Sequence, residues 1–261
     1  MIIGIDHIAL SAGDIDRAIE VISGWGYKVK FTNKKLLNHP AKAPFLSTIN
    51  KYHDVSFCQP LLPGPAIELT SHGSQFIETT PLKERGFKVL FSHTNPGIGV
   101  QDDKPHLENC KTLSEVYKGD VIPSCLPEFN TECYYLKDGN KDKTKCASVK
   151  CVLIESIDIE KSCKFWKSFN FIERRQSLPG GEYKWKLLEF KSHLPGWCLD
   201  IVIKETNKKN KIGEYKIDMA GFPCIALLTM DIYGVTNSFH PRMGIKIGDI
   251  FPFKVGGQAL E

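Results

Sequence analysis

An α+β fold built from repeated strand–helix–strand units is what this sequence predicts, on three observations. Two segments match without a gap at a shift of 144 positions. Each copy sets a short apolar strand before a capped amphipathic helix, with more strands after it. The chain has 261 residues, including 15 Phe and 4 Trp, which is enough apolar bulk for a sizeable core.

The first copy opens with Ile5-Asp6-His7-Ile8-Ala9-Leu10 and the second with Val149-Lys150-Cys151-Val152-Leu153-Ile154. Both runs are rich in β-branched and apolar residues, as a buried strand requires. Asp14 and Asp158 then stand where a carboxylate would accept hydrogen bonds from the first free N–H groups of a helix. Ile15, Ala18, Ile19 and Ile22 recur on one helical face, and Ile159, Cys163 and Trp166 do so in the second copy. Gly26 and Asn170 fall at the same offset, and both types tolerate the left-handed conformation that ends a helix. Tyr27 and Phe171 each start the next strand.

Further strands are expected around 45–49, 54–59 and 66–70 in the first copy, and around 184–190 and 198–203 in the second. A weaker third copy begins at Cys224-Ile225-Ala226-Leu227-Leu228-Thr229, with Asp231 in the capping slot. A fourth begins at Lys88-Val89-Leu90-Phe91, with Asn95 in that slot before the helix breakers Pro96 and Gly97. The polar stretch from Lys137 to Lys143 is the best linker, dividing the chain into residues 1–140 and 146–261.

Composition narrows the function classes. The net charge of +4 is spread among interspersed acids, and the lysine runs at 141–145 and 208–211 read as solvated loops. No nucleic-acid partner is therefore expected. The longest apolar run, Phe222 to Leu228, is far short of the ~18 residues that span a bilayer, so no membrane partner is expected either. The start Met1-Ile2-Ile3-Gly4 carries no secretion signal, and a cytoplasmic location is the expectation. Nine cysteines without a Cys-x-x-Cys pair read as reduced core thiols. Gly97-Ile98-Gly99 and Gly180-Gly181 lack the spacing of phosphate-binding loops, and no Gly-x-Ser-x-Gly elbow occurs.

The opening Ile5-Asp6-His7-Ile8-Ala9-Leu10 with Asp14-Ile15-Asp16-Arg17-Ala18, and the later Pro65-Ala66-Ile67-Glu68-Leu69, resemble the vicinal oxygen chelate superfamily. That group includes glyoxalases, extradiol dioxygenases and bleomycin-resistance proteins. The resemblance implies paired βαβββ modules in two homologous halves, their mixed sheets cupped around a site. Residues 86–135 and 221–261 would be the partners of the two clear modules. It also implies that metal ligands project inward from the first and last strands of a module. His7 falls on the first-strand position and Glu68 on the last. Imidazole and carboxylate suit Fe²⁺, Mn²⁺, Ni²⁺ or Zn²⁺. Glu68 is also the candidate catalytic base.

The second copy departs from this, with Cys151 in the place of His7 and Asp200 in the place of Glu68. The third has Cys224 and the fourth Lys88 at the first-strand position. His93, Glu132 and Glu261 are the remaining candidates for further ligands. Each site residue also has a plain reading. His7 could be a strand histidine bonded to a carbonyl, and Glu68 a solvent-facing strand residue. His72 reads as a rim residue, His53 as a surface one, and Cys151 and Cys224 as core thiols. Phe165, Trp166 and Phe169 keep helical spacing and read as core. Trp185 and Trp197 are the better candidates for gripping a flat ligand.

The expected function is that of a small-molecule-handling protein. The lead reading is a divalent-metal-dependent isomerase, lyase or dioxygenase acting on a substrate with adjacent oxygens. The alternatives are a metal-free protein that sequesters a ligand, and an interaction subunit whose cup is filled by large side chains. A homodimer that exchanges modules is compatible with the resemblance.

Overall fold

Strand β1 (Ile2–Ser11) and helix α1 (Ile15–Gly24) form where the repeat places them. The computed structural model describes residues 2–73, 87–92, 107–126, 129, 131–137, 146–190, 192, 197–206, 221–238, 253–255 and 258–260. Asp14 Oδ1 accepts from the backbone N–H of Asp16 and Arg17 at 2.9 and 3.1 Å. In the second copy Asp158 Oδ1 accepts from Lys161 at 2.9 Å, at the head of α3 (Ile159–Lys167). Gly26 and Asn170 both take positive φ, 85° and 69°, so the shared helix stop is structural in both copies.

The first module continues with β2 (Tyr27–Leu37), β3 (Tyr52–Pro60) and β4 (Ala66–Ser71). The expected strand at 45–49 does not form. β2 runs on to Leu37 instead, and Pro40–Phe45 closes into a 3₁₀ turn. Pro40 and Pro44 lack the N–H that a strand ladder needs, and their fixed φ suits the turn. The next module has β5 (Lys88–Ser92), α2 (Leu107–Tyr117), β6 (Val121–Leu126) and β7 (Thr131–Leu136). Asn95 and Gly97, where its helix was expected to start, lie outside the described residues, as do the linker from residue 138 and the lysine run at 208–211.

The second clear copy carries β8 (Ser148–Ser156), β9 (Ile172–Gln176), β10 (Trp185–Phe190) and β11 (Leu199–Glu205). Last come β12 (Gly221–Thr229), the short α4 (Ile232–Ser238), and the pair β13 (Phe253–Val255) and β14 (Gln258–Leu260). Asp231 Oδ1 accepts from Gly234 N–H at 2.7 Å, so this weak copy keeps its cap.

Two mixed sheets result, in the orders β12-β1-β4-β3-β2 and β6-β7-β5-β8-β11-β10-β9. In each, first strands of two modules meet antiparallel, β12 at the edge of the five-stranded sheet with β1, and β5 with β8 inside the seven-stranded sheet. Each sheet therefore joins strands from both sequence halves, where chain order suggested a partner within each half. Neighbours along the chain tend to pair in space. β7 and β8 are close in sequence, so their modules share a sheet and the last module returns to the open edge of β1.

One apolar cluster takes Ile15, Ala18 and Ile22 of α1, Ile159, Cys163 and Trp166 of α3, and inward residues of both sheets. Trp25 and Phe91 meet edge-on across it at 5.3 Å. Backbone bonds tie the sheets at Ala147 N–H to Trp25 O (2.7 Å) and Phe87 N–H to Phe222 O (3.0 Å). The Trp197 ring lies over Gly4, where an added Cβ would stand 2.6 Å from it. Gly4→Ala is expected to cost about 1–3 kcal/mol, read from the urea midpoint, because a packed ring must move. An unchanged midpoint would mean the indole is not seated there.

Candidate small-molecule site

The parity of β1 decides what faces the hollow of the five-stranded sheet. Ile5, Ile8 and Leu10 all point into the core. Strict alternation would have sent His7 there with Ile5. A register shift between Ile5 and His7 changes the parity, and both Asp6 and His7 escape the core face. Asp6 can then reach its neighbour, with Asp6 Oδ2 2.8 Å from His7 Nδ1.

On β4, Glu68 alternates with the buried Ile67 and Leu69 and faces the same side as His7. Its Oε2 is 3.7 Å from His7 Nε2. The two side chains are 16 % and 19 % exposed, so they are lodged in the hollow yet still open to a ligand. The Phe57 ring meets the imidazole edge-on at 5.7 Å and stacks on Phe31 at 5.5 Å. Cys224 and Ala226, paired with Ala9 and His7, extend this face across β12.

At one end of the hollow, His53 Nδ1 is 3.2 Å from Leu36 O, so that nitrogen is the donor. Its Nε2 is left to accept from Lys42 Nζ at 3.3 Å. Its ring stacks on His72 with centroids 5.4 Å apart. Neither histidine is where the sequence put it. His53 is 2 % exposed and His72 5 %, so the strand entrance and the rim are both interior.

Charge follows geometry. Burial disfavours the His7 cation, but the Asp6 hydrogen bond and the Glu68 charge outweigh it and raise its pKa. His53 goes the other way, down to about 4, through burial and then the adjacent Lys42 and His72. Burial also lowers Lys42, against the pull of Glu68 and Cys224. The Cys224 thiol is pushed up to about 12 by burial and by Glu68, so it is no thiolate at neutral pH.

The donor types fit a divalent cation. Donating Nδ1–H to a carboxylate orients a ligating histidine and leaves Nε2 to bind, as in carboxylate–histidine–metal triads. Among the described residues, no third His, Cys, Asp or Glu joins the pair closely enough to complete a ligand group. His93 and Glu261 lie outside the described residues.

The seven-stranded sheet has a corresponding hollow, and α2 occupies it. Cys110, Leu113 and Val116 pack against Leu90, Tyr134, Cys151, Leu153, Leu187 and Val202. Trp185 is buried in this cluster as core, not as a ligand grip. The Tyr117 hydroxyl donates to Asp200 Oδ2 at 2.9 Å. Burial holds the Cys151 thiol at about 12, in keeping with a core thiol. Asp200 pairs with Cys151, whereas Glu68 pairs with Ala9, two residues past His7. The residue at the Glu68 position is thus Val202, and Asp200 is displaced by two. Glu132 is buried here too, on β7 beside Cys110 and Tyr134, in the other sheet from His7. Asn109, 1 % exposed, accepts from Lys204 Nζ at 3.0 Å and closes this hollow's polar end.

Sequence reading missed Asp6, Lys42 and Phe31. The three-residue gap between Ile5 and Ile8 could have exposed the bulge, and with it Asp6. Nothing in Pro40-Ala41-Lys42-Ala43-Pro44 signals that its lysine turns inward.

Antiparallel pairing of first strands, with a helix and three strands behind each of the two clear copies, gives the paired βαβββ modules that the sequence resemblance implies. The resemblance in sequence is therefore a resemblance in fold. The structure is similar to glyoxalase I from Zea mays, with a TM-score of 0.52 and 16 % identity, covering 89 % of this chain and 76 % of that one. A point mutant of the same maize enzyme superposes with a TM-score of 0.55 at 15 % identity, covering 90 % and 78 %. No protein-family model and no curated protein sequence matches the chain. No helix among the described residues is long and apolar enough to cross a membrane.

Proposed function

We propose that this protein handles a small molecule bearing adjacent oxygens, in the hollow where His7 and Glu68 meet, and that a divalent metal ion is held there. The observation that carries the reading is the Asp6–His7–Glu68 array, with an imidazole oriented by one carboxylate and facing another. Fe, Mn, Ni or Zn would suit the pair, and such an ion supplies Lewis acidity toward the substrate oxygens. Glu68 would take up or return a proton at the carbon beside those oxygens. Phe57 and Phe31 would cover an apolar part of the molecule and keep water from it. The reaction class would be isomerisation, lyase action or dioxygenation. The second hollow, filled by α2, would serve structure, so the division of labour would run between the two sheets and not between residues 1–140 and 146–261. A cytoplasmic setting would suit the reduced thiols.

A second reading, a metal-free protein that sequesters its ligand, is favoured by one observation. The described residues bring two ligands together and place a lysine near them. Elemental analysis after dialysis against metal-free buffer separates the two. About one equivalent of metal is expected, and His7→Ala is expected to lose most of it while keeping its melting temperature near that of the parent. No metal after reconstitution with each ion would transfer the assignment to the sequestering protein, and equal metal in His7→Ala would overturn His7 as a ligand.

A further inference from the structure

We propose that the excursion between β2 and β3 docks on an anionic lipid surface, its exposed apolar side chains entering the headgroup layer and exposed lysines flanking them.

Residues 28–53 hold six lysines and no Asp or Glu, in a chain whose 34 basic and 30 acidic residues nearly balance. Lys34 is bridged to Asp16 at 2.7 Å, and Lys42 is turned toward His53 at 3.3 Å. Lys28, Lys30, Lys35 and Lys51 stand exposed. The same stretch exposes Leu37, Phe45, Ile49 and Tyr52, with Leu37 and Ile49 at 68 % and 64 %. A single apolar residue in water needs no explanation, but a group of them marks a contact surface.

The backbone gathers these side chains. Leu37 and Tyr52 are directly paired across the two strands, so they share a face. Asn38 N–H donates to Lys51 O at 3.0 Å and Asn38 Nδ2 to Asn50 O at 2.8 Å, which brings Ile49 beside that pair. Phe45 ends the turn in which Pro40 and Pro44 fix φ. Asn50 Nδ2 also donates to His72 O, fastening the excursion to the end of β4. The tip is therefore held in one form, and docking would cost little further ordering.

The same residues choose the occupant. β2 is an edge strand, and its lysines with the register shift between Asn33 and Leu36 guard it against pairing with another strand. A second copy on this face would set lysines against lysines. A nucleic acid would use the lysines and leave Leu37 and Ile49 in water. An anionic bilayer uses both sets. Leu37, Ile49 and Phe45 suit the acyl boundary, the Tyr52 phenol suits the interface, and the ammonium groups reach lipid phosphates. Lys51 Nζ lies 5.2 Å from the Tyr52 ring centroid, so a lysine and an interfacial aromatic already stand together. Attachment of this kind needs no spanning run, only a tip that reaches the headgroups.

Sedimentation of the intact protein with two kinds of vesicle is the test, phosphatidylcholine alone and phosphatidylcholine with about one-third phosphatidylserine. Binding to the anionic vesicles is expected to be at least about tenfold tighter and to weaken as salt rises. Leu37→Ser combined with Ile49→Ser is expected to lose at least about tenfold in binding with the urea midpoint near that of the parent. Lys35→Gln with Lys51→Gln is expected to reduce the preference for anionic lipid. Met230→Ser, at an exposed apolar residue outside the excursion, is expected to bind as the parent does. If the Leu37/Ile49 variant fails to fold, Ile49→Ser alone takes its place. No binding to anionic vesicles, equal binding to both kinds, or full binding by the Leu37/Ile49 variant would each overturn the proposal. So would a lipid-free dimer that dissociates in that variant, which would assign the face to a second copy of the chain.

Discussion

Leu113→Ala is expected to lower the free energy of unfolding by roughly 2–5 kcal/mol, one of the largest effects of any single truncation here. Leu113 is fully buried on α2, within the cluster that includes Leu90, Leu153, Leu187 and Val202. The strands around it are paired on both sides, so the space left by the side chain cannot close, and the cavity adds to the lost transfer energy. Urea denaturation gives the number. A helix lying loosely over the sheet would predict a loss within about 0.5 kcal/mol, as for a surface substitution, and that result would reopen the second hollow as a ligand site. The full loss would establish that α2 is part of the core and fills the face of the seven-stranded sheet.

Acid is expected to destabilise the protein through His53. Its pKa falls from 6.5 to about 4 on folding, so the unfolded chain binds the proton more readily between those values. The stabilisation is therefore complete above pH 6.5 and is lost as pH falls toward 4, by roughly 3 kcal/mol in all. His7 works in another window. Its pKa is raised, so its contribution is complete below 6.5 and declines only as pH rises through the folded value. His53→Gln keeps a polar group of similar reach and removes the titration. The parent should lose about 3 kcal/mol more than this variant between pH 7 and pH 4. Equal losses would show that His53 does not enter the folded state as a buried neutral ring.

Local order was legible because it is written in adjacent residues. Asp14 and Asp158 announce their helices by a side-chain oxygen placed two or three residues before free N–H groups. Gly26 and Asn170 announce the stops through tolerance of positive φ. The strands at Ala66 and Cys224 follow from apolar runs. The strand expected at 45–49 from its apolar residues does not form, because Pro40 and Pro44 lack the N–H that a ladder needs. The candidate site is half legible. His7 and Glu68 stand out through resemblance to known motifs, whereas Asp6 carries no signal of its own, because a bulge breaks the strict period of two. Lys42 gave no signal at all, since an inward lysine and a solvated one share the same neighbours in sequence.

The sequence by itself determined the module, its repetition and the chemistry available on β1 and β4, because caps, turns and periodicity act over a few residues. Only the tertiary structure decided which modules share a sheet, which hollow stays open and which side chains converge there. Those outcomes depend on contacts between distant segments: β12 closing on β1, α2 seated on the seven-stranded sheet, and Lys42 held against His53. Such contacts form where buried area and satisfied hydrogen bonds are greatest over the whole chain, and no local pattern encodes that sum.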